Sequence, residues 1–115
     1  MTKIKKIVII DDEEDLCRLM KAYLVDVGYD VFLAHTLYDG LNLMHEVSPD
    51  ILFLDNNLPD GLGWERMKFL TEHFPYCKIT LISAYKYFPP ELRELESPVR
   101  ILEKPITLNA LKDYL

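Results

Sequence analysis

Ile51-Leu52-Phe53-Leu54 running into Asp55-Asn56-Asn57-Leu58-Pro59-Asp60-Gly61-Leu62-Gly63 is the stretch that most restricts the fold. Four consecutive apolar residues closed by turn residues suit a strand buried on both faces, and such strands belong mostly to parallel sheets covered by helices. Asp55 then leaves the strand at its carboxyl end. In open α/β sheets that is the edge where ligands bind, so a carboxylate there is placed for chemistry rather than for packing.

The rest of the chain repeats the same alternation. Ile7-Val8-Ile9-Ile10 is β-branched throughout and predicts a central strand; Asp11-Asp12-Glu13-Glu14-Asp15 then supplies the acids that favour a helix start. Leu16, Leu19, Met20, Tyr23, Leu24 and Val27 recur at helical spacing up to Gly28, a suitable stop. A second strand follows over residues 29–34. Thr36 and Asp39 then open a helix carrying Leu37, Leu41, Met44 and Val47, which Ser48-Pro49 ends. After the stretch at 51–63 come a helix with Trp64, Met67, Leu70 and Phe74, a fourth strand over 78–82, and a segment with Pro89-Pro90 that allows only short turns. A fifth strand over 99–102 and a last helix capped by Thr107 and cut short at Leu115 complete the pattern.

Strands alternating with helices imply a parallel sheet, and right-handed crossovers make a doubly wound sandwich its natural closure. The expectation is a flavodoxin-like α/β fold, five parallel strands in the order 2-1-3-4-5, with an irregular or short fourth helix and a truncated fifth. At 115 residues it is a single domain, 1–115. Strands one and three are neighbours in that order, so Asp11, Asp12 and Asp55 meet in one cleft.

Charge and cysteine usage narrow the partners. The net charge of −6, with no basic stripe, argues against direct nucleic-acid contact and for a cation or a basic partner. Cys17 and Cys77 lack metal or CxxC spacing and read as reduced, packed thiols. With no apolar run long enough for a membrane span, a cytoplasmic chain is expected. His35, His45 and His73 have no ligand spacing and are assigned no chemistry.

Three carboxylates brought together repel by about 4 kcal/mol per pair at about 4 Å and an effective dielectric near 20, so they must protonate or hold a cation. Oxygen ligands in an open cleft favour Mg²⁺. Asp55 is then a carboxylate nucleophile toward phosphorus. Lys104, after the fifth strand and before Pro105, brings a point charge to the same edge, and its bond to Pro105 is a cis-peptide candidate. Ser83 can donate its hydroxyl to a phosphoryl oxygen, and Asn57 can lend the metal its backbone carbonyl. Taken singly these residues read more plainly: Asp11 and Asp12 as helix caps, Ser83 and Asn57 as turn residues, Lys104 as a surface charge. Their joint arrival at one edge is what favours chemistry.

An acid pair after strand one, Asp55 followed by Leu58-Pro59 and Gly63, Ser83-Ala84 after strand four and Lys104-Pro105 after strand five together resemble the receiver domain of two-component response regulators. The resemblance covers essentially the whole chain. It implies Asp55 as phosphoacceptor, Asp11 and Asp12 as magnesium-binding acids, Asn57 as carbonyl ligand, and Ser83 and Lys104 as phosphate-sensing switch residues. It also implies a sensor histidine kinase or phosphotransfer protein as donor, with an output partner or effector domain, or a second copy of the chain, downstream. Two features depart from the family. Ile101 occupies the place of the usual aromatic switch residue, and the fourth helix is interrupted by prolines; Tyr85, Tyr87 or Phe88 are the aromatics left to take over the switch. Among alternatives, an aspartate-nucleophile phosphohydrolase needs a second carboxylate two residues after the nucleophile, where this chain has Asn57. A flavodoxin-type carrier would have to bind phosphate beside residues 11–15, whose acids repel it. A receiver-like interaction module that is never phosphorylated leaves the acids and Lys104 without a use.

Overall fold

In the computed structural model, which describes residues 3–84, 90–95 and 99–115, five strands form one parallel sheet: β1 (Lys6–Ile10), β2 (Asp30–Ala34), β3 (Ile51–Asp55), β4 (Lys78–Ser83) and β5 (Arg100–Glu103), in the order β2-β1-β3-β4-β5. The register places Ile10 beside Leu54 and Ala34, Asp55 beside Ile82, and Ser83 beside Glu103, so all five carboxyl ends lie on one edge. Residues of β3 are buried from Ile51 through Asp55, as a strand covered on both faces requires.

The pleat sends alternate side chains into two cores. Val8, Ile10, Leu52, Leu54, Ile79 and Leu81 pack under α2 (Leu37–Val47) and α3 (Met67–His73). Ile7, Ile9, Ile51, Phe53 and Ile82 pack under α1 (Glu14–Asp26) and α4 (Leu108–Leu111). Gly40 allows α2 to lie directly on Ile10, whose side chain would collide with any Cβ there.

Local signals act where they were expected. Thr36 Oγ1 accepts the Asp39 N–H at 3.1 Å and Thr107 Oγ1 accepts the Ala110 N–H at 3.2 Å, each capping its helix. Gly28 has φ of 106° and turns the chain out of α1. The apolar stripe of α1 is narrower than its spacing implies. Cys17, Met20 and Leu24 form the buried row, while Leu19 and Val27 are 55% and 47% exposed. Leu19 points well off the axis of that row, and Val27 falls just beyond the last helical residue. The helix after β3 begins as a 3₁₀ turn at Gly63–Arg66 before α3. Pro90–Glu94 is likewise a 3₁₀ turn, and α4 passes into another at Lys112–Tyr114. Tyr85, Tyr87 and Phe88 lie outside the described residues.

Candidate functional site

The carboxyl edge of β1, β3 and β5 gathers the ionisable groups. Asp11, Asp12 and Asp55 each offer one oxygen, and these lie within 4.8 Å of one another. Asp11 is fully buried and Asp55 nearly so, while Asp12 is exposed at the rim. Lys104 Nζ stands 3.5 Å from Asp55 Oδ1, 3.9 Å from Asp11 Oδ2 and 3.2 Å from Glu13 Oε1. The Lys104–Pro105 peptide is cis. Lys104 is anchored by its own N–H, which donates to the Ser83 carbonyl at 2.8 Å. Ser83 itself is buried at the end of β4.

Burial raises the Asp55 carboxyl, and the neighbouring Asp11 charge raises it further; the Lys104 ammonium and the Asn57 N–H offset part of this, leaving it at about 6. Asp11 is also raised by burial, against the Glu13 N–H and Lys104, which lower it. For Lys104 burial acts downward, but Asp11, Asp55 and Glu13 together hold the ammonium above its ordinary value. Among the described residues the site is thus short of positive charge: two buried carboxylates and a rim acid share one ammonium.

Residues fitting a divalent cation are present. Asp11 Oδ1 accepts the Glu13 N–H at 2.9 Å, whereas Asp11 Oδ2 is buried with no hydrogen-bond donor among the described residues. A buried carboxylate oxygen left in that condition is costly and open to an ion. The all-oxygen donor set, partly open to solvent through Asp12, matches the preference of Mg²⁺ for one or two carboxylates plus waters. Asn57 sits on the rim in a short antiparallel ribbon, Asn57–Leu58 with Gly61–Leu62. Its side chain is exposed. Ile101, on β5, is 39% exposed, and its carbonyl accepts the Tyr114 hydroxyl at 3.0 Å.

Four residues matter here that sequence patterning passed over. Glu13 is the nearest carboxylate to Lys104. Asn56 is buried and closes the turn after Asp55: its N–H donates to the Ile82 carbonyl at 2.8 Å, and its Oδ1 accepts the Trp64 N–H at 3.0 Å. His35 Nδ1 lies 2.8 Å from the Asp11 carbonyl. Asp60 reaches across to α2, where its two oxygens accept the Leu37 and Tyr38 N–H groups at 2.8 and 2.9 Å. Those two N–H bonds hold the Asp60 carboxyl below its ordinary value. Because Asp60 serves the open N-terminus of a helix, Asp60→Ala should lower stability by about 1 kcal/mol in chemical denaturation. Asp60→Asn, which keeps one acceptor oxygen, should recover part of that.

The doubly wound sheet thus gathers these acids and this lysine at one carboxyl edge. The response regulator receiver domain family model matches residues 7–115, and the chain belongs to that family, a signalling family rather than a class of metabolic enzymes. It is 26% identical over 110 residues to the response regulator protein PilR of Pseudomonas aeruginosa, covering 95% of this chain and 25% of PilR. It is 27% identical over 85 residues to the regulatory protein AtoC of Escherichia coli K12, covering 74% of this chain and 18% of AtoC. The chain therefore spans about a quarter or less of the length of these curated relatives. The response regulator receiver domain protein of Methanospirillum hungatei superposes with a TM-score of 0.86 at 23% identity, covering 96% of this chain and 90% of that one.

Proposed function

We propose that the chain is a single phospho-accepting receiver domain, in which Asp55 takes a phosphoryl group from the phosphohistidine of a sensor histidine kinase or phosphotransfer protein, with Mg²⁺ as cofactor. The convergence of Asp11, Asp12, Asp55 and Lys104 at one sheet edge carries this reading. Asp11, Asp12, Asp55 and the Asn57 carbonyl would hold the ion. When bound, Mg²⁺ supplies charge neutralisation for the phosphoryl oxygens.

The chain's own residues do the rest. An Asp55 carboxylate oxygen attacks the donor phosphorus; the new O–P bond forms as the P–N bond to the donor histidine breaks, and the imidazole keeps the electron pair. Phosphorylated Asp55 carries about two negative charges and brings the site to about −4 with Asp11 and Asp12, which the ion and Lys104 reduce to about −1. Lys104 pairs with a phosphoryl oxygen in place of the Asp55 carboxylate, and Ser83 donates its hydroxyl to another. The resulting rearrangement of the Ser83-to-Lys104 region changes a surface read by an output partner. With Ile101 in place of an aromatic switch residue, that rearrangement runs through other groups.

Intact-mass measurement after incubation with a small phosphodonor tests the assignment. One added phosphoryl group is expected with Mg²⁺, and none without it or in Asp55→Asn; equal labelling of that variant would overturn it.

A further inference from the structure

His35 stands directly after β2, at the carboxyl edge beside β1. Its Nδ1 is 2.8 Å from the Asp11 carbonyl oxygen, which also receives the Cys17 thiol at 3.3 Å. A carbonyl only accepts, so His35 must carry its proton on Nδ1 and donate. The neighbouring Asp11 N–H is held as well, donating to the Ala34 carbonyl at 3.0 Å. The backbone on both sides of Asp11 is therefore fixed by residues outside β1: Ala34 and His35 at the end of β2, and Cys17 of α1.

The consequence follows from covalent geometry. The Asp11 carbonyl and the Asp12 N–H belong to one planar peptide, so the orientation of that carbonyl sets the direction in which Asp12 leaves the strand. Asp12 is the exposed member of the acid cluster and has no burial to hold it there. From this geometry we infer that His35 is a positioning residue for the cation site: its Nδ1–H bond locks the Asp11–Asp12 peptide and so aims the Asp12 carboxylate at Asp11 and Asp55. Groups that orient ligands in this way typically account for about 10- to 100-fold in metal affinity. The thiol does not substitute for the imidazole, being a weak donor at a longer distance.

The inference rests on the proposed cation site, and calorimetric titration with Mg²⁺ separates the two. His35→Leu should bind the ion about tenfold more weakly. His35→Asn, whose amide Nδ2–H can stand where Nδ1–H stood, should bind nearly as the unsubstituted chain does. In the metal-free protein the amide resonance of Asp12 should move in His35→Leu and stay in His35→Asn, a readout that loss of packing alone would not sort in this way. If the unsubstituted chain takes up no Mg²⁺, the cation site fails and the amide shifts alone decide on His35. If it binds and His35→Leu binds equally well, or if His35→Asn is as weak as His35→Leu, the positioning role is overturned. Should His35→Leu not fold, His35→Gln replaces it, with its donor displaced by one methylene, and the same comparison with His35→Asn decides.

Discussion

Without divalent cations, Asp55→Asn is expected to be more stable than the unsubstituted chain at pH 7, by about 3 kcal/mol. The folded Asp55 carboxyl lies at about 6 against 3.8 for an ordinary aspartate, and each pH unit of difference is worth about 1.4 kcal/mol. Between those two pH values the native state retains a proton that the unfolded chain releases. Native stability therefore falls as pH rises from about 4 through about 6, and levels off above. Asp11, also raised, contributes in the same direction. Asp60 is lowered, so its stabilising contribution is lost only as pH falls through a value below 3.8, outside this window. Taking the difference between the unsubstituted chain and Asp55→Asn isolates the one group: urea unfolding should show the two nearly equal at pH 4 and separated above pH 6. Adding Mg²⁺ should close the gap, because an ion that binds only the native state stabilises it by an amount that grows with the logarithm of one plus the ratio of its concentration to its dissociation constant. Parallel pH profiles without metal would show that Asp55 is not under electrostatic strain.

This strain also explains why some of the site was legible in the sequence and some was not. The scaffold was readable because apolar runs and helical spacing report burial directly: residues 51–54, closed by turn residues, suit a covered strand, and Gly28, Thr36 and Thr107 mark helix ends by local chemistry. The acids and Lys104 were readable because each stands at a strand's carboxyl end or within two residues of it, and in a parallel sheet every strand ends on the same edge. Glu13, His35, Asn56 and Asp60 gave no such signal. Their roles depend on which side chain reaches which backbone group across the edge, and a polar residue in a turn is compatible with many partners. His35 was nonetheless findable by position, as the first residue past β2. Leu19 shows the opposite error, since apolar spacing on a helix overstates the width of its buried face.

The same loop should respond in the opposite sense to Gly63→Ala, with a loss of about 3 kcal/mol. A Cβ at Gly63 would fall 2.6 Å from the Asp55 backbone oxygen and 3.2 Å from both Asn56 Cα and Leu54 Cγ. The closest of these is main chain and cannot turn aside as a flexible side chain would; overpacking at a fixed site typically costs about 1–3 kcal/mol, sometimes more. The turn is also tied shut: Gly63 N–H donates to the Asn56 carbonyl at 2.8 Å, and Asn56 is tied in turn to Ile82 and Trp64. Relief must therefore come from moving the Asp55 peptide itself, which displaces the carboxylate from its place beside Asp11 and Lys104. If that displacement opens the carboxylate to solvent, the benefit of replacing it with asparagine should shrink. The double variant Gly63→Ala/Asp55→Asn should accordingly be less stable than the sum of the two single effects implies, a non-additivity characteristic of groups in direct contact. Simple additivity in urea unfolding at pH 7 would mean that the clash is absorbed elsewhere and that Gly63 does not set the position of Asp55.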